Sequence, residues 1–131
     1  MEFNDTCIQQ FNQATNGLKL SYEIHSANIP VIALTGVLDS VNSWYFGETI
    51  IKTMDANSDA IFFVFDLEKL DYISSIGIGS FTAILVHGKN NNTNIYLMNL
   101  DDKCMRLFKH LGLQHFFNII DDIKEITIEH Q

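Results

Sequence analysis

Cationic residues are scarce in this chain. Eight lysines and arginines stand against sixteen aspartates and glutamates in 131 residues, a net charge of −8 with neutral histidines. No basic surface is available to neutralise phosphates, so non-specific nucleic-acid binding is excluded and docking on anionic membranes is disfavoured. Cysteine is also sparse. Cys7 and Cys104 belong to no C-x-x-C pair and sit in no cluster of metal ligands. Two reduced thiols in a cytoplasmic protein are expected, rather than a disulfide framework or a metal centre. No apolar run approaches the roughly 18 residues of a membrane span. The start, MEFNDTCIQQFNQ, lacks the basic-then-apolar order of a secretory signal. Proline occurs once, at Pro30, and no internal repeat is visible.

The motifs of several enzyme classes are missing too. There is no G-x-x-x-x-G-K-[ST] loop, no G-x-G-x-x-G and no G-x-S-x-G elbow. The histidines His25, His87, His110, His115 and His130 are scattered, and none stands near a serine in a pattern that would activate it. Asp66 ends an apolar run, as a phospho-accepting aspartate would in a receiver domain. The acidic pair that such a domain needs after its first strand is absent, so Asp66 is read as a strand-end residue. No cofactor and no catalytic activity are expected.

What is present is enough for a core. Hydrophobic residues make up 47 % and charged residues 18 %, a balance that favours one folded domain over disorder. That domain is placed at residues 18–131, after an N-terminal extension over residues 1–17. In the extension Cys7, Ile8, Phe11 and Ala14 keep a weak helical spacing, read as a short helix packed on the domain. Leu18 to His25 alternates strictly and predicts a strand with Leu18, Leu20, Tyr22 and Ile24 inward. Ser26 to Asn28 forms a turn, and Val31 to Leu34 a second, antiparallel strand, with Pro30 at its start. Trp44 to Met54 predicts a helix with Phe46, Ile50, Ile51 and Met54 on one face and Ser43 as a candidate cap.

The chain is organised around Ala60 to His87. Ile61 to Phe65 is a short apolar run, as expected of a strand covered on both faces. A polar link with Leu70 and Tyr72 leads to Ser74 and Ser75, and then to a helical segment that starts with Gly77 and Gly79. One serine suffices to cap a helix, so a pair leaves one unexplained. Two early glycines leave the backbone uncovered for a close approach. Ile95 to Leu100 predicts a further buried strand. Asp101 or Asp102 caps a helix carrying Cys104, Leu107, Phe108 and Leu111, with Gly112 just past its end. Phe116, Phe117, Ile119 and Ile120 are assigned to the core, as a last short strand. A final helix could begin at Asp121-Asp122. Strands joined by helices after an initial hairpin imply an α/β domain with a mixed sheet, mostly parallel after the hairpin.

The segment Asp71-Tyr72-Ile73-Ser74-Ser75-Ile76-Gly77-Ile78-Gly79 resembles the signature of the STAS family, the domain of bacterial anti-sigma-factor antagonists. Leu34-Thr35-Gly36-Val37-Leu38-Asp39 resembles a second motif of that family, as does Met105 to Leu113, a basic-apolar helix closed by Gly-Leu. The resemblance implies a STAS-like fold with no catalysis of its own. It places the phospho-acceptor at Ser75, with Ser74 as second choice, and partner contacts at Asp39, Ser74, Ser75, Ile76, Gly77 and Ile78. Asp39 equally fits a capping role. The implied partners are an anti-sigma factor that is also a serine kinase, and a serine phosphatase that resets the switch. Ile76 is bulkier than the Ser or Ala usual in the family. The alternative is therefore a STAS-like module that binds a nucleotide, a lipid or another regulatory protein without phosphorylation.

Overall fold

A computed structural model describes residues 2–129, with side chains described up to residue 126. His130 and the end of the assigned domain lie outside the described residues. The alternating segment forms β1 (Leu18–His25), and after a 3₁₀ turn the chain returns as β2 (Ile29–Leu38) in antiparallel register, Leu20 opposite Leu34. Leu18 and Leu20 are buried and Tyr22 is half-buried, but Ile24 is exposed because it lies beside the turn, beyond the core.

Then follow α2 (Ser43–Ala56), β3 (Phe62–Asp66), β4 (Leu70–Ile73), α3 (Ser75–Asn90), β5 (Asn94–Met98), α4 (Asp102–His110), β6 (Asn118–Ile120) and α5 (Lys124–Glu129). The six-stranded sheet runs β1-β2-β3-β5-β6, and every pairing after the hairpin is parallel. The polar link expected around Leu70 and Tyr72 is in fact β4. It pairs with the far end of β2, past a bulge at Gly36/Val37, and so prolongs the line of β3. Leu70 and Ile73 are buried while Asp71 and Tyr72 face solvent. Four residues with a polar centre carry too little periodicity to be read as a strand; the edge of the long β2 supplies the order.

Apolar side chains on one face of the sheet meet the helices. Phe46 of α2 and Phe81 of α3 pack edge-on against each other and against Phe65 of β3, with centroids 5.3–6.5 Å apart, a favoured aromatic geometry. On the other face Val31, Phe62, Val64, Tyr96 and Ile120 form a second cluster with Ile126 of α5. β3 is thus covered on both sides, as its unbroken apolar run requires. Its first residue by sequence, Ile61, lies outside the strand and is 57 % exposed.

The N-terminal segment holds α1 (Thr6–Ala14), which inserts Ile8 and Phe11 into the main core. The side chain of Asn57, at the end of α2, holds the Asn4 backbone from both sides, accepting from its N–H at 2.7 Å and donating to its carbonyl at 2.9 Å. This segment therefore joins the core of the domain through Ile8 and Phe11, with Phe3 packed against it; Met1 lies outside the described residues. At the other end Phe117 and Ile120 are buried, but Phe116, assigned to the core from sequence, is exposed because it precedes β6 in a turn closed by its own N–H on the Leu113 carbonyl.

Candidate functional site

Strand register assembles the site. Leu38, the last residue of β2, lies opposite Ile73, the last of β4, and the Ser74 N–H donates to the Leu38 carbonyl at 2.8 Å. Asp39 and Ser74 therefore leave neighbouring strand ends, and the helices that follow, α2 and α3, start side by side. Gly36 makes this register possible. Its φ is +116°, and a Cβ at this position would lie only 2.3 Å from the Gly17 carbonyl oxygen, which excludes any other residue. The Val37 N–H donates to that same carbonyl at 2.9 Å.

The Asp39 carboxylate is engaged locally. Its Oδ1 accepts from the N–H groups of Val41 and Asn42, at 2.9 and 3.0 Å. Asn42 returns the contact, its Oδ1 accepting from Asp39 N–H at 3.0 Å and its amide donating to the Val37 carbonyl at 2.9 Å. This is a reciprocal exchange in the manner of a capping box. The exchange closes the turn that leads into α2; Asn42 occupies the position before the helix without a side-chain bond into it, and Ser43, the candidate from sequence, is the first helical residue instead, its hydroxyl donating to the Asp39 carbonyl.

The two serines have different surroundings. Ser74 is extended (φ −85°, ψ 165°), and its hydroxyl oxygen accepts from Gly77 N–H at 3.0 Å. It is the N-cap of α3. Ser75 is the first helical residue, exposed, and its hydroxyl has no hydrogen-bond partner among the described residues. Ile76 beside it is 47 % exposed. Gly77 and Ile78, expected among the partner contacts, turn the other way. Ile78 is 1 % exposed within the core, and a side chain at position 77 would sit 2.9 Å from Leu38 Cγ. The helical period that points residues 75 and 76 outward points residues 77 and 78 inward, so these two shape the site and offer no side chain to a partner.

Beside the serines an apolar groove of about 580 Å³ runs between α2 and α3. Trp44 and Ile51 line it from α2, Ile76 and Ala83 from α3. Trp44, the only tryptophan, is 80 % exposed. Sequence reading centred on the core-facing residues of these helices. The set Trp44-Glu48-Ile51 and Ile76-Ser80-Ala83 has the same 3–4 spacing and is the signal that could have found the groove; Ile51, assigned from sequence to the core face, is half-buried at the boundary and serves both the core and the groove.

Other chemistry is poorly supplied. Among the described residues no three potential metal ligands cluster. His87 lies in the last turn of α3, roughly 18 Å along the helix from Ser75, and pairs with Asp55 at 2.7 Å. Asp66 accepts from the Glu68 N–H at 3.1 Å and the Asn99 amide at 2.9 Å, holding the link between β3 and β4. Cys104 is buried, and its thiol is pushed up to about 11, chiefly by loss of solvent and then by the charge of Asp101. It is a packing residue, inert at neutral pH.

A mixed sheet that opens on a hairpin, with a capped helix that begins at an exposed serine, defines the α/β domain. The STAS domain model matches residues 23–126, and the chain belongs to the STAS-domain family. Solved structures of the same fold include an anti-sigma factor antagonist from Mycobacterium paratuberculosis, with 17 % identity over 86 % of this chain and 92 % of that one and a TM-score of 0.68. The anti-sigma factor antagonist SpoIIAA, in its unphosphorylated form, shares 19 % identity over 85 % and 96 % of the two chains, with a TM-score of 0.61. The murine anion transporter Slc26a9 matches at 12 % identity and a TM-score of 0.70, over 92 % of this chain but 23 % of that one. At these identities the likeness is one of fold.

Proposed function

We propose that this protein is a phosphorylation-controlled binding switch, an anti-sigma-factor antagonist without catalysis of its own. Unphosphorylated, it presents Asp39, Ser74, Ser75 and Ile76 to an anti-sigma factor that is also a serine kinase. Phosphorylation of Ser75 releases that partner, and a serine phosphatase restores binding. The exchange takes place in the cytoplasm. Chains of the same fold that are described as anti-sigma factor antagonists support this reading.

The observation that carries it is the division of labour at the start of α3. Ser74 does the capping, and the exposed Ser75 hydroxyl is left for another use. A phosphate adds about −1.5 to −2 charges. At the first helical position it meets N–H groups of Ser75 and Ile76 that have no helical acceptor, and the positive end of the helix dipole, so the fold tolerates it. Buried against a partner, the same dianion loses its water, and association weakens.

The test compares the affinity of the captured kinase partner for the wild type and for Ser75→Asp. The variant is expected to keep the wild-type circular dichroism and melting temperature and to bind at least about tenfold more weakly. Equal affinity would leave a module that binds without control by phosphate.

A further inference from the structure

We infer that the groove between α2 and α3 anchors the partner that engages Ser75, and that its occupant is an apolar segment of that partner carrying a basic residue to meet Glu48. The inference rests on the switch proposed above and adds the chemistry of the contact.

Three features of the groove converge. The first is continuity with Ser75. Ile76, the next residue, forms part of the wall, so a kinase that brings a nucleotide to the Ser75 hydroxyl also covers the mouth of the groove. The second is the exposure of large apolar side chains. Trp44 at 80 % and Ile76 at 47 % line the same space of about 580 Å³ from α2 and α3, while Phe46 and Phe81 on the same two helices are fully buried. The floor is closed where Gly47 meets Ser80, a side chain at 47 lying 3.3 Å from Ser80 Cβ. Gly79 has no such reason to be small. A side chain there meets nothing within 4 Å. Glycine inside a helix is unfavourable, and here its effect is to keep one wall low so that a backbone can come close.

The third is charge. Glu48 is the single charged residue in the lining; its carboxylate pairs at 3.5 Å with the exposed Lys52 one turn on, a surface pair that an incoming cation can replace, and the protein as a whole carries −8. An acidic segment, or the carboxylate of a fatty acid, would meet like charge. An apolar segment with a basic residue is complementary both to the walls and to Glu48, which lies one helical turn beyond Trp44 and away from the serine.

The experiment uses the full chain labelled with 5-fluorotryptophan, so that Trp44 gives one fluorine resonance. The probe is the kinase that phosphorylates Ser75, purified by that activity from the protein's own cells. Gly79→Arg fills the groove from an exposed position and is expected to melt at or above the wild-type temperature. It should bind the kinase at least about tenfold more weakly and lose the shift of the Trp44 resonance that the kinase induces in the wild type. Wild-type affinity and an unchanged shift in Gly79→Arg would overturn the inference. So would a Trp44 resonance that moves with oleate, or with the concentration of the chain itself, and not with the kinase. Ser75→Asp separates the two proposals. If it binds like wild type while Gly79→Arg does not, the switch fails and the groove stands; the opposite pattern leaves the switch and removes the groove. Cells without any kinase activity toward Ser75 would remove both.

Discussion

The Ser74 hydroxyl holds Gly77 N–H at 3.0 Å, whereas the Ser75 hydroxyl holds nothing among the described residues. Ser74→Ala should therefore cost about 1 kcal/mol of stability in urea titrations, and Ser75→Ala less than about 0.5 kcal/mol. The reverse order would mean that the cap is misassigned. From sequence, one of two adjacent serines is enough for a cap; the extended backbone at Ser74 is needed to say which. Asp101 offers a second test at this scale. Its side chain accepts from Cys104 N–H at 2.8 Å, and that bond above all holds the carboxyl below its ordinary value. A depressed carboxyl stabilises the fold above its unfolded pKa and loses that contribution as pH falls through the folded one. Asp101→Ala should be about 1 kcal/mol less stable than wild type at pH 7. The gap should close in acid, where the wild type protonates as well. A gap independent of pH would contradict the assignment.

At the level of elements, the sequence reveals what repeats. Strict alternation in β1, the unbroken apolar run of β3 and the amphipathic spacing of α2 and α4 are each visible in one dimension. β4 is not, because its order comes from the edge of β2 and from the bulge after Gly36. The site divides in the same way. The serine pair and Asp39 can be picked out from local pattern, but the inward turn of Gly77 and Ile78 depends on where α3 begins. One residue of shift in that start rotates each side chain by about 100°. The two glycines of α3 should accordingly behave in opposite ways. Gly77→Ala places a methyl group 2.9 Å from Leu38 Cγ and 3.0 Å from Ile73 and should destabilise by about 1–3 kcal/mol. Gly79→Ala meets open space and should stabilise by up to about 1 kcal/mol. Chemical denaturation of the pair checks this, and equal effects would contradict the packing of α3 against β2 and β4.

Across the whole molecule, α1 is a wall of the core. Phe11 is fully buried against Tyr45 and Phe46. Phe11→Ala should cost about 3–5 kcal/mol, seen as a large drop in melting temperature; a loss below about 1 kcal/mol would contradict the placement of α1 in the core. From sequence the helix is visible, but its weak spacing does not reveal that one phenylalanine reaches the centre of the domain. The overall charge of −8 acts at the same scale. It means that a phosphate adds to an already acidic balance. Fold and charge together describe a module whose exposed Ser75, its hydroxyl without a partner among the described residues, stands where two helices begin. Intact-mass and fragmentation spectra of the protein purified from its own cells test this most directly. A fraction heavier by one phosphate, located on Ser75, is the predicted result. Phosphate on Ser74, or none under any growth condition, would contradict it.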